Sequence, residues 1–129
     1  TNLYNLNDGV GYFLTPTVLE GVPENDPISH KEVFGPVAVL YRATTFDDAV
    51  RLANNSAYKL TGAVCTQDYK RQRAFENLYR AGVVRINGPT HGSESHMSFG
   101  GMGVSGDGWR EPGRAALDFY ADWKQVSYQ

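Results

Sequence analysis

Cysteine occurs once in the 129 residues, at Cys65, which excludes an internal disulfide framework and a cysteine-built metal cluster. So sparing a use of thiols fits a reducing, cytoplasmic setting. No apolar run approaches the ~20 residues that a membrane-crossing helix needs, so no membrane span is expected. Thr1-Asn2-Leu3-Tyr4 has neither the positive start nor the apolar core of a secretory signal, and no initiator Met. Positive charge is not in excess. The 12 Lys and Arg stand against 14 Asp and Glu, for a formal net charge of -2. Nucleic acid is therefore not an expected partner, because phosphates attract a basic surface. The few basic clusters, such as Lys70-Arg71 with Arg73, fall on an expected helix and read as its solvated face. Internal repeats and low-complexity stretches are also missing.

What is present is the composition of one folded domain with a small core: 41% hydrophobic and 20% charged residues. Residues 12–19 are rich in β-formers but contain Pro16, which lacks a ladder donor, so they read as an edge or broken strand. Residues 21–27 read as a loop. Residues 36–42 form a short apolar run typical of a buried strand. Thr45 can cap the helix that follows, with Asp48 placed for a capping box. Phe46, Ala49, Val50 and Ala53 then give that helix one apolar face, and Asn54-Asn55-Ser56 ends it. Residues 61–66 read as a second buried strand and residues 68–80 as a helix with Ala74, Phe75, Leu78 and Tyr79 inward. Gly82 stands where a left-handed C-cap belongs. Residues 83–86 make a third strand. Strand and helix alternating in this way specify an α/β fold of parallel strands with crossover helices.

The chain then changes character. Residues 88–113 hold eight of the 14 glycines, and irregular stretches of that length in compact domains tend to be functional loops. Residues 114–119 suit one or two helical turns. Residues 120–128 show some alternation, with Trp123, Val126 and Tyr128 requiring something to pack on.

Three groups of residues invite a chemical reading. In His30-Lys31-Glu32-Val33-Phe34-Gly35-Pro36, a carboxylate and an aromatic ring stand at a strand entrance. Glu32 can accept two hydrogen bonds from a sugar diol, and Phe34 can lie against a flat ring such as nicotinamide. Ligands gather at strand-end loops in open α/β sheets. Composition alone favours a surface Glu and a core Phe. His91 and His96, with Glu94 between them, fall short of the three or four convergent ligands of a metal site, and none is expected. The glycines from Gly100 to Gly106 fit neither dinucleotide-loop nor P-loop spacing.

Gly11-Tyr12-Phe13, Pro16-Thr17-Val18, Lys31-Glu32-Val33-Phe34-Gly35-Pro36, Ala53-Asn54-Asn55-Ser56 and Gly62-Ala63-Val64 come in a characteristic order. Ala81-Gly82-Val83-Val84, Ile86-Asn87, Phe99-Gly100-Gly101, Ser105-Gly106 and Arg110-Glu111 continue it. In that order and spacing, from about Tyr4 to Val126, the chain resembles the aldehyde dehydrogenase superfamily. The resemblance implies the C-terminal portion of the catalytic domain over residues 1–119 and an oligomerisation strand over 120–129. That strand would add to a sheet in a neighbouring subunit of a dimer or tetramer. It implies NAD or NADP as cofactor and a small aldehyde as substrate. Glu32 is then similar to the glutamate that holds the nicotinamide ribose hydroxyls, and Phe34 to the aromatic beside the nicotinamide. Asn87, His91 and Phe99 fall on the substrate side, with residues 87–97 shaping the aldehyde entrance. Their polar groups and one Met suit a polar aldehyde or a semialdehyde.

In that family a cysteine thiolate attacks the aldehyde, hydride leaves to the cofactor, and water releases the acid. Cys65 is not that nucleophile, which lies upstream of the glutamate in a motif this chain lacks. A buried structural cysteine within its strand is expected instead. The general base and the glycine-rich nucleotide segment are likewise upstream. No catalytic residue is expected here, and the chain alone should be inactive. The alternative is a non-catalytic structural or assembly module of an aldehyde dehydrogenase-like protein. Lys59, Arg85, Ser98 and Met102-Gly103 depart from the residues the family usually has, Arg85 from a frequent Trp.

Overall fold

In the computed structural model, residues 12–129 are described. Tyr4 and Gly11, at the start of the resemblance, lie outside them. The chain forms two compact units, residues 1–52 and 53–129.

In the first unit, β1 (Thr17–Glu20) runs parallel to β2 (Val37–Leu40), with Thr17 opposite Val37 and Glu20 opposite Leu40. β1 starts just after Pro16, and the Thr17 N–H reaches the Pro36 carbonyl at 2.8 Å. The expected strand over 12–19 is thus cut back by the residue that lacks a donor. A 3-10 turn, Pro27–Ser29, lies between the strands. Asp26 opens it by accepting from the Ile28 N–H at 3.0 Å, with Pro27 in the first position.

Helix α1 (Phe46–Asn54) begins as expected: Thr45 Oγ1 accepts from the Asp48 N–H at 3.1 Å. The Asp48 carboxylate does not complete a capping box; it accepts from Arg51 at 2.8 and 3.0 Å. The Arg51 fork also donates to both Glu24 carboxylate oxygens, at 2.8 and 2.9 Å. Those hydrogen bonds hold the Glu24 carboxyl below its ordinary range and push Arg51 above its own. Val50, on the expected apolar face, is buried.

In the second unit, β4 (Thr61–Val64), α2 (Tyr69–Leu78) and β5 (Val83–Ile86) form a crossover, with β4 and β5 parallel and Thr61 opposite Val83. Short β3 (Tyr58–Lys59) and β6 (Met102–Gly103) pair antiparallel. Helix α3 (Ala115–Phe119) follows. Pairing is recorded as β1–β2, β3–β6 and β4–β5. β2, β4 and β5 fall on the three central runs expected as strands, each in a parallel pair.

Asp68 caps α2 by accepting from the Lys70 and Arg71 N–H groups at 2.8 and 3.3 Å. The basic cluster on α2 is exposed as expected, with Arg73 paired to Glu76. At the far end Asn54 takes the Arg80 N–H at 2.8 Å and donates to the Leu78 carbonyl at 3.0 Å. Phe75 is buried and stacks on Tyr79, with centroids 4.7 Å apart and planes 11° from parallel. The Tyr79 ring covers Gly62, where a Cβ would strike it. Partial burial raises the Tyr79 hydroxyl pKa.

Two expectations, on Gly82 and Cys65, need correction. Gly82 is not among the positive-φ glycines, and α2 is closed by extended Tyr79 at φ -79° and ψ 129°. Glycine is needed at 82 because a Cβ there would fall on the Gly100 carbonyl. Cys65 is exposed rather than buried, since β4 ends at Val64 and Cys65 follows it. Residues 121–129 adopt no regular element, and Trp123 and Tyr128 are 97% and 93% exposed. A strand that adds to another sheet has no ladder to form within its own chain.

Candidate cofactor cleft and substrate loop

Lys31, Glu32, Val33 and Phe34 lie between the 3-10 turn and β2. The turn fixes where this segment starts: the Lys31 N–H donates to the Pro27 carbonyl at 3.0 Å, and His30 Nε2 lies 2.7 Å from the Glu24 carbonyl oxygen. Gly35-Pro36 then forces extended backbone into β2. Between these fixed ends Phe34 takes φ +53°, a left-handed conformation that costs a non-glycine residue roughly 1–3 kcal/mol. Its ring is 89% exposed. A cleft of about 410 Å³ lies beside it, lined by Ile28, Lys31, Glu32, Phe34, Val37 and Val39 among others. The structure thus gathers the two predicted cofactor residues at one cleft beside a parallel pair. It also adds Lys31, which sequence reasoning passed over.

The predicted substrate residues Asn87, His91 and Phe99 lie in the second unit. Phe99 lines a cavity of about 260 Å³ with Gly100, Gly101, Ser105, Trp109 and Phe119 among others. Its backbone is held by exchange with Glu111, N–H to carbonyl at 2.6 and 2.7 Å. Trp109 and Phe119 meet edge to face, with centroids 5.7 Å apart. Arg110 Nη1 donates to the Gly101, Gly108 and Trp109 carbonyls at 3.0, 3.2 and 3.0 Å, which fixes the glycine-rich backbone. Lys59, one of the departures, uses its N–H to reach Ser105 Oγ at 3.0 Å.

Asn87 behaves otherwise. Its Oδ1 accepts from the Thr66 N–H at 2.8 Å and its Nδ2 donates to the Thr66 carbonyl at 3.0 Å. With φ +54°, Asn87 ends β5 and clamps the chain just beyond β4. Both polar atoms of the amide are engaged with backbone. The sequence signal was available, since Asn is the residue after Gly that best tolerates this conformation. His91 and His96 are exposed on the loop of residues 88–98, and among the described residues no group of three or more His, Cys, Asp or Glu gathers as a metal site.

A carboxylate and an aromatic ring thus stand beside a cleft at the entrance of a strand in a parallel pair. Comparison with known proteins supplies the class. The profile of the aldehyde dehydrogenase family matches residues 2–126, and the chain belongs to that family. It is 40% identical over 126 residues to aldehyde dehydrogenase [NAD(P)+] 2 of Saccharomyces cerevisiae, covering 98% of this chain and 24% of that protein. It is 40% identical over 123 residues to 2,5-dioxopentanoate dehydrogenase of Saccharolobus solfataricus, covering 95% and 26%. Its fold matches a crystal structure of aldehyde dehydrogenase from Bartonella henselae with TM-score 0.83 and 36% identity, over 100% of this chain and 26% of that one. A betaine aldehyde dehydrogenase from Staphylococcus aureus, solved with NAD+, matches with TM-score 0.79 and 36% identity over 85% and 22%. The chain spans about a quarter of the length of the curated relatives it matches.

Proposed function

We propose that this chain is the C-terminal part of the catalytic domain of an NAD(P)-dependent aldehyde dehydrogenase that oxidises an aldehyde to a carboxylic acid. The observation that carries the reading is the cleft of about 410 Å³ in which Glu32 and strained Phe34 stand together. An exposed carboxylate offers two acceptors to a ribose diol, and an exposed ring offers an apolar face to a nicotinamide, so the residues fit the group. When bound, NAD or NADP supplies the two-electron acceptor for the aldehyde hydrogen. Glu32 orients the ribose, Phe34 excludes water from the ring, and Phe99 walls the substrate side. His91 presents a polar group at the entrance, and Asn87 sets where the loop begins. None of these residues is a nucleophile or a proton carrier, and the chain alone has no activity. A relative named 2,5-dioxopentanoate dehydrogenase and the polar loop together support a polar aldehyde or semialdehyde as substrate. The single cysteine supports a cytoplasmic location.

The test is cofactor affinity in the full-length enzyme. Loss of a charge-assisted hydrogen bond is worth about 1.5–3 kcal/mol, so Glu32→Gln should weaken NAD(P) binding roughly tenfold to a hundredfold. Unchanged affinity and kinetics would remove Glu32 from the site. Turnover of an aldehyde panel by the isolated 129-residue chain would refute the division of labour.

Exposure of Trp123 and Tyr128 favours a second role, assembly into a homo-oligomer through residues 120–129. Light scattering of the enzyme truncated after Phe119 decides it: an unchanged mass rules the tail out as an assembly strand.

A further inference from the structure

We infer that Arg85 is a positioning residue that straps the loop of residues 88–98 into one shape and so sets which aldehydes the enzyme discriminates. This rests on the proposed reading of that loop as the substrate entrance. Arg85 stands in the middle of β5, opposite Ala63 of β4. Its Nη2 donates to the Gly92 carbonyl, and its Nη1 lies 3.9 Å from Met97 Sδ. Gly92 has φ +80°, a left-handed conformation that glycine adopts freely. Arg85 Nε is buried without a partner, so the fork's bonds run to the loop rather than to the strand. From β4, Thr61 Oγ1 donates to the Thr90 carbonyl at 3.2 Å. A third tie is internal, from the Met97 N–H to the Glu94 carbonyl at 2.9 Å.

The loop is therefore an arch pinned to the parallel pair at residues 90, 92 and 97. The side chains of His91, Ser93, Glu94 and His96 remain exposed on it. A bond from a charged donor to a carbonyl is stronger than a neutral one. Only a forked side chain reaches two points of the arch at once. The Trp frequent at this position in the family has a single N–H and cannot do so. An arch ordered in advance spares a bound aldehyde the cost of ordering it, so discrimination depends on the strap.

Arg85→Trp, Arg85→Met and Arg85→Lys in the full-length enzyme test this with two independent readouts. The first is cleavage after Glu94 by a glutamate-specific protease. The second is KM and kcat for a dicarboxylic semialdehyde against propanal. For the Trp and Met variants, cleavage should quicken and semialdehyde KM rise, each about tenfold, the size a lost charge-assisted bond allows. The kcat, propanal KM and cofactor affinity should stay within about twofold of wild type on the same scale. Arg85→Lys should fall between, since one ammonium holds Gly92 or Met97 but not both. It carries the test alone if the other variants do not fold. Wild-type cleavage and an unmoved semialdehyde KM would overturn the inference, as would equal losses for both aldehydes. A wild-type enzyme that reduces no cofactor with any aldehyde would instead sink the proposed function.

Discussion

Replacing Asn87 by Ala and by Gly should loosen the end of the β4–β5 ladder by different amounts, because two effects meet at that residue. The amide makes two bonds to Thr66, at 2.8 and 3.0 Å, and the backbone sits at φ +54°. A neutral hydrogen bond nets about 0.5–1.5 kcal/mol, and these two are exposed, so together they contribute about 1 kcal/mol. The left-handed conformation costs an ordinary L-residue about 1–2 kcal/mol. Asn87→Ala loses the bonds and tolerates the left-handed backbone less well than Asn, for about 1–3 kcal/mol by these figures. Asn87→Gly loses the bonds without the strain, for about 1–2 kcal/mol once glycine's greater unfolded freedom is added. Hydrogen exchange at the Thr66 amide reads the clamp directly, and the melting temperature reads the sum. Exchange at Thr66 should quicken in both variants, with the larger loss of melting temperature in Ala. Unchanged exchange in Asn87→Ala would mean that the clamp does not form in solution. A less stable Gly variant would mean that the backbone there is not left-handed.

Gly82→Ala should destabilise by about 1–3 kcal/mol or more, since the new methyl meets the Gly100 carbonyl rather than a side chain that can swing away; a melting temperature within a degree of wild type would refute that packing. Glu24 has a lowered folded-state pKa, caused first by its hydrogen bond from Arg51. Its contribution to stability is therefore present above the unfolded carboxylate range and lost as pH falls through the lower folded value. The melting-temperature gap between wild type and Glu24→Gln should close on that acid limb, and a gap constant from neutral pH to pH 3 would deny the pairing. Phe34→Asn should leave stability within about 1 kcal/mol of wild type, because Asn tolerates φ +53°, yet weaken cofactor binding; undiminished affinity would detach the ring from the site.

Local chemistry made the helices legible. Thr45 caps where sequence places it, and Val50 and Phe75 are buried on the faces that periodicity assigns. The β4–β5 pair was legible because short apolar runs there flank a helix. What sequence concealed depends on distant chain. Gly82 looks like a helix cap from its neighbours alone, and only the Gly100 backbone, far along the chain, reveals why it lacks a side chain. Cys65 looks like a strand residue until the Thr66–Asn87 clamp replaces the ladder just beyond Val64. Residues 120–129 show an alternating pattern, but pattern alone cannot make a strand without an edge to join.

The two left-handed non-glycine residues among those described show why the proposed cofactor side was the harder half to read. Asn87 recovers part of the cost of φ +54° through its own amide, so its conformation is explained within the chain. Phe34 has no side-chain donor or acceptor, and a phenyl ring at φ +53° gains nothing locally for the strain. Such a conformation persists only where its surroundings over-determine it, here the 3-10 turn before it and Gly35-Pro36 after it. Those fixed ends leave the ring exposed beside a carboxylate and a cleft, an arrangement that core packing does not explain. Strain held at an exposed aromatic fits the ligand platform proposed for Phe34, as it would not fit a core phenylalanine.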